Sequence, residues 1–133
     1  MGALSRIADA VLGRAVELPP QLADDYPELC GARYRVGGMP LRLGGWSLGA
    51  STVSGITLWN TVWLEPGVRW DAELLLHEIR HVQQFQASAS FPVQYIWESL
   101  RRGYHANRFE ADARRYASAR LARGRASPST RDV

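Results

Sequence analysis

Apolar positions recur along the 133-residue chain in two periods, which divide it into helices and a strand region. Leu4, Ile7, Ala8, Val11, Leu12 and Ala15 fall at helical spacing. They predict an amphipathic helix over residues 1–18, packed on the core by its apolar side and stopped by Pro19-Pro20. Residues 21–31 read as a loop with a helical turn. From Ala32 to Ser51, glycine turns at Gly37-Gly38 and Gly44-Gly45 separate two short runs, Tyr34-Arg35-Val36 and Trp46-Ser47-Leu48, that suggest small strands. Between Gly55 and Leu64 the side chains alternate, with Ile56, Leu58, Asn60, Val62 and Leu64 on one side and Thr57, Trp59, Thr61 and Trp63 on the other. This predicts one strand covered on both faces, closed by Pro66-Gly67.

The period then changes to helical. Asp71 to Gln86 contains neither Pro nor Gly, Asp71 suits an N-cap and Glu73 suits the first turn. Leu75, Ile79, Val82 and Gln86 make one stripe, with Leu74, His77, Glu78, His81 and Phe85 beside it. Pro92 opens a further helix that ends near Gly103. The last helix is expected over about Arg108 to Ala122, burying Phe109, Ala113, Tyr116, Ala117 and Leu121. Residues 1–122 are expected to form one α+β domain. A small mixed or antiparallel sheet packs against the Asp71–Gln86 helix, a helical part follows, and residues 123–133 form a flexible tail.

That central helix carries His77-Glu78-Ile79-Arg80-His81. Four residues turn a helix by about 400° and rise roughly 6 Å, so the two imidazoles stack on one face and can share a zinc ion. Glu78 leaves about 100° round from His77, too far to be an easy ligand but placed to touch a metal-bound water as a general base. Catalytic zinc usually has a third protein ligand, and His105, Glu98 and Glu110 are the candidates. Glu110 is preferred, although Asn107 with Glu110 three residues on also fits a capping box. Glu98 is the runner-up: on its helix Trp97 and Leu100 compete for the inward direction. Tyr104 and His105, just before the last helix, are candidates to stabilise an oxyanion.

The order of strand, H-E-x-x-H helix, connecting segment and Glu-bearing helix resembles the zincin metallopeptidases of the gluzincin type. More closely, Leu75 to Gln84 resembles the motif helix of small bacterial minigluzincin-like proteins. In those a Tyr precedes a turn into Phe-Glu-x-x-Ala. Here the segment is Tyr104, then Asn107-Arg108-Phe109-Glu110-Ala111-Asp112-Ala113. The resemblance covers residues 54–117. It implies a zincin-like fold, His77, His81 and Glu110 as zinc ligands, Glu78 as general base, and a strand at Ile56 to Leu64 that lines the cleft and pairs with an extended peptide or unfolded protein. Larger membrane-associated relatives have an Asp four residues after the ligand Glu, which supports the first His. Here position 114 is Arg and the acid is Asp112, about 200° round the helix from Glu110 and expected to face away from the metal. Bracing of the imidazoles must then come from elsewhere or be absent.

Charge and cysteine content change this picture little. All 16 basic residues are Arg, and nine of them, against three acids, lie in residues 101–133. This excess is read as a solvated helix face and tail rather than a nucleic-acid surface, because basic and aromatic residues do not interleave there. Cys30 is the only cysteine, so no intramolecular disulfide is possible. No secretory pattern and no run of membrane-spanning length is present, which makes a cytoplasmic protein the expectation. The residues thus point first to a zinc-dependent peptidase. The alternatives are a zinc-stabilised interaction module without turnover, and a nucleic-acid-associated protein using its Arg-rich end.

Overall fold

The computed structural model describes residues 2–41 and 54–124. The elements are α1 (Ala3–Leu12), β1 (Arg14–Val16), α2 (Pro20–Asp25), a 3-10 turn (Pro27–Gly31), β2 (Arg33–Val36), β3 (Gly55–Leu58), β4 (Thr61–Leu64), α3 (Ala72–Ala87), α4 (Phe91–Arg102) and α5 (Arg108–Ala122). The four strands form one mixed sheet in the order β1-β2-β4-β3, with β2 and β4 parallel and the outer pairs antiparallel. Helices and a mixed sheet in one small domain agree with the expected α+β class. The expected turn at Gly44-Gly45, the short run Trp46-Ser47-Leu48 and most of the tail lie outside the described residues.

Two expectations about the first half are corrected. The N-terminal helix stops at Gly13, well before Pro19-Pro20, and Ala15 belongs to β1. Gly13 has φ 73° and Gly38 has φ 100°, and a Cβ on Gly38 would stand 2.7 Å from the Gly13 nitrogen. The backbones at the start of β1 and the end of β2 therefore meet at a distance that only glycine allows. Nor does α1 bury its apolar stripe: Leu4, Ile7, Val11 and Leu12 are exposed. It is fastened by its C-terminal carbonyls instead. The Leu12 carbonyl accepts from Trp63 Nε1 at 2.8 Å, and the Gly13 carbonyl from Arg35 at 2.9 Å. Pro20, expected to end that helix, opens α2.

The continuous strand expected from Gly55 to Leu64 is a hairpin. The chain reverses at Trp59-Asn60, so Gly55 pairs with Leu64 and Thr57 with Val62. Trp59 takes φ 54°, a conformation that tight two-residue turns usually give to glycine, Asn or Asp. Its ring rests 5.7 Å from Phe85 of α3. The alternating pattern was real, but a two-residue turn preserves alternation on both arms and so hides within it.

The core lies between the sheet and α3. Leu29, Val62, Leu64, Leu75, Leu76 and Val82 are fully buried, with Ile79 beside them. Along its other side α3 packs on α5, where Ala113 and Ala117 are 0% and 1% exposed and their small side chains let the two backbones approach. That approach decides the site, because Glu110 stands one turn before Ala113 on the same face.

Candidate metal centre

Helix α3 begins where expected: Asp71 caps it, accepting from the Leu74 N–H at 2.8 Å. Seated on the core by its leucine stripe, it turns the adjoining stripe toward the cleft. His77 and His81 meet edge to face, with ring centroids 4.9 Å apart, planes at 77° and Nε2 atoms 3.2 Å apart. Glu110 of α5 completes the group, with Oε2 at 2.9 Å from His77 Nε2 and Oε1 at 3.1 Å from His81 Nε2. His81 and Glu110 are buried, and His77 is partly open.

This donor set fits a metal ion. An ion bound at roughly 2.0–2.2 Å by tetrahedrally disposed N and O ligands would set those ligands about 3.3 Å apart. The two imidazole Nε2 atoms stand 3.2 Å apart; the 2.9 and 3.1 Å contacts run to different oxygens of Glu110, and one ligand atom from each residue lies within 4.8 Å of the others. Among the described residues, His77, His81 and Glu110 are the one group of this kind. The charges behave accordingly. Burial works against a charged His81, but the hydrogen bond to Glu110 and the charges of Glu78 and Glu110 outweigh it and raise the ring to about 9. Burial would raise the Glu110 carboxyl, yet hydrogen bonds from His77, His81 and Tyr95 hold it well below the usual carboxylate range. A carboxylate kept ionised in a buried pocket is what a cation requires.

Local structure delivers Glu110 there. Asn107, fully buried, caps α5 by accepting from the Phe109 N–H at 2.8 Å. Its amide nitrogen donates to the Tyr95 carbonyl at 3.1 Å and Ser99 Oγ at 2.9 Å, which ties α5 to α4. The cap is therefore present, but Glu110 spends its oxygens on the histidines and on Tyr95, whose hydroxyl donates to Oε1 at 2.6 Å. Burial and the neighbouring Glu110 charge push the Tyr95 phenol up, so it stays protonated as a donor. Glu98, the other carboxylate considered, is not in the cluster. Glu98 is buried, while Val93, Ile96, Trp97 and Leu100 of the same helix are exposed. Glu98 lies 3.6 Å from Arg102 and 3.7 Å from Arg108.

Glu78 stands beside the ligand group rather than in it. It is buried, and Thr57 of β3 donates to its Oε2 at 2.7 Å. Gly55 makes the space: a Cβ there would meet Glu78 Oε1 and Leu64 Cδ2, each at 3.1 Å. Glu78, His81 and Glu110 open onto one cavity of about 380 Å³, walled by Gly55 to Leu58 on one side and by Phe85, Phe91, Tyr95, Ile96, Leu100 and Tyr104 on the others. Tyr104 faces Glu110 and Glu78 across it, and burial together with Glu110 raises its phenol. His105 is exposed and is not among the lining residues; its carbonyl accepts from Arg114 at 2.8 Å. Of the strand expected to line the cleft, only β3 does so, as the sheet's edge among the described residues; β4 is paired on both sides.

Sequence reasoning gave Tyr95 no role, and missed Thr57 as the partner of Glu78 and Gly55 as the residue that leaves it room. It also missed Gln84, whose Oε1 lies 2.8 Å from His81 Nδ1. Gln84 follows His81 by three residues, so helical spacing alone could have nominated it. Comparison with known proteins finds no family model that matches the chain, and no match among curated proteins or solved structures. Among the described residues, no helix is long and apolar enough to cross a membrane.

Proposed function

We propose that this protein is a zinc-dependent metallopeptidase of the zincin kind, with His77, His81 and Glu110 as ligands and Glu78 as general base. The observation that carries the reading is the separation of roles among buried acids. Glu110 is locked to the two imidazoles, while Glu78, one residue from His77, is held apart by Thr57 and opens on the same cavity. A set of two imidazoles and one carboxylate suits zinc, which would supply a polarised substrate carbonyl and a water of lowered pKa.

The chain's own residues then have defined tasks. Thr57 occupies Glu78 Oε2, which leaves Oε1 to accept a proton and pass it to the departing amine. Tyr104, protonated and facing the two acids, is the donor for negative charge developing on the substrate carbonyl oxygen. The edge of β3 offers backbone groups to an extended peptide, so affinity comes from main-chain pairing. The apolar walls favour stretches normally hidden in folded proteins, which supports an unfolded protein or flexible peptide as substrate.

The test is Glu78→Gln. The variant should keep one zinc per chain and lose hydrolysis of an unfolded protein substrate. Undiminished turnover contradicts the proposal. Zinc binding without turnover even in the unaltered protein would favour the zinc-stabilised interaction module.

A further inference from the structure

We propose that Gln84, itself oriented by Asp112 and Phe109, is a positioning residue that fixes His81 in the tautomer with its proton on Nδ1 and its Nε2 lone pair aimed at the metal. The inference rests on the metal-centre reading and adds to it the device that presents the second histidine.

A glutamine amide has one accepting and one donating end, and its neighbours decide which end points where. Gln84 Nε2 lies 3.1 Å from the Phe109 carbonyl and 2.9 Å from Asp112 Oδ2. Both are acceptors, so this end must be the donating one. Oε1 is then the atom 2.8 Å from His81 Nδ1, and it can only accept. Nδ1 must therefore carry the hydrogen. Once the proton that Nε2 gives to Glu110 is displaced, an imidazole that keeps its hydrogen on Nδ1 has its lone pair on Nε2, the atom that faces His77 Nε2 and Glu110 Oε1.

Asp112 is held in turn. Arg80 Nε donates to its Oδ2 at 2.8 Å, and Arg80 also donates to Gln83 Oε1 at 2.9 Å. Asp112 is outside the ligand group, but it reaches His81 through one intervening amide. The brace that the sequence did not reveal is thus built from both helices: Arg80 and Gln84 come from α3, Asp112 and the Phe109 carbonyl from α5. Partners of this kind on a ligand histidine typically contribute 10–100-fold in metal affinity.

The test uses the full chain loaded with zinc, with His ring nitrogens read by 15N NMR and zinc affinity by competition with a chromophoric chelator. In the unaltered protein His81 should show a slowly exchanging Nδ1–H and a metal-bound Nε2. Gln84→Ala should weaken zinc by 10–100-fold and expose that proton to fast exchange. Gln84→Glu sets a carboxylate oxygen against two acceptors, the Phe109 carbonyl and Asp112 Oδ2, and should lose the same signals as Gln84→Ala. A purely structural bridge between helices predicts instead that Gln84→Ala lowers stability and leaves zinc affinity unchanged, which overturns the proposal. So does a metal found on Nδ1 of His81 in the unaltered protein, a result that needs no variant to fold. Failure of the unaltered protein to bind zinc would overturn this inference and the metal-centre reading together. Zinc binding without peptide hydrolysis would contradict the peptidase proposal alone.

Discussion

Tyr95→Phe removes one atom from the centre and leaves everything else in place. The hydroxyl donates to Glu110 Oε1 at 2.6 Å, a charge-assisted bond inside the protein. Such bonds contribute about 1.5–3 kcal/mol. Glu110 keeps both imidazoles, at 2.9 and 3.1 Å, so the carboxylate is not left bare and the lower end of that range applies. The ring keeps its contacts with Phe91 and Phe109, at centroid distances of 5.8 and 6.5 Å, so no cavity opens. The expected result is a loss of about 1.5 kcal/mol in metal-free stability, read by urea unfolding in the presence of a chelator. Zinc affinity should fall about tenfold, read by chelator competition, because Oε1 loses the group that orients it. Stability within about 0.5 kcal/mol of the unaltered protein, together with unchanged zinc affinity, would refute the role given to this hydroxyl.

Other expectations concern the base, the ion and the proton. Gly55→Ala pushes a methyl group against Glu78 Oε1 and the fully buried Leu64; turnover should drop about tenfold or more while zinc affinity stays within about twofold, and equal losses in both would contradict the division between base and ligands. Zinc at a hundredfold excess over its dissociation constant should stabilise the fold by about 2.7 kcal/mol, roughly 10 °C in Tm for a chain of this length, and Glu110→Ala should abolish most of that shift in a thermal melt. Because His81 is raised to about 9 in the metal-free protein, its share of stability is complete below the ordinary histidine range and is lost as pH climbs through about 9. Zinc must displace that proton, so calorimetry in buffers of different ionisation enthalpy should find about one proton released at pH 7 and an affinity that rises with pH up to about 9. Glu110, shifted the opposite way, contributes stability that is present above the usual carboxylate range and is lost only as pH falls well below it.

How far the sequence carried these conclusions depended on whether the signal was local. The α3 and α5 helices were legible because cap, period and breaker-free length agree within each segment; Asp71 and Asn107 both cap as read. The pair His77 and His81 followed from spacing alone. Glu110 was already legible as the preferred candidate, ahead of Glu98; what the sequence did not show is the packing of Ala113 and Ala117 against α3 that carries it to the imidazoles. The hairpin at Trp59-Asn60 was hidden because Trp59 adopts a left-handed conformation that its side chain does not advertise. The outward α4 stripe was misjudged for a related reason. Its helical periodicity marks an apolar face, but the inner direction is set by Phe91, which packs on Phe109, and by the Tyr95 carbonyl and Ser99, to which Asn107 at the start of the next helix donates. Thr57, Gln84 and Tyr95 lie 21, 3 and 15 residues from the groups they serve. Two of those three contacts exist only after the hairpin is folded onto α3 and α4 onto α5.

Anomalous diffraction at the zinc edge, from crystals of the zinc-loaded protein, bears most directly on the His77–His81–Glu110 centre. A single peak is expected, roughly 2.0–2.2 Å from His77 Nε2, His81 Nε2 and a Glu110 oxygen, with Glu78 outside bonding distance. A peak coordinated by Glu98 or Glu78 in place of Glu110, or no peak between the two imidazoles, would contradict it.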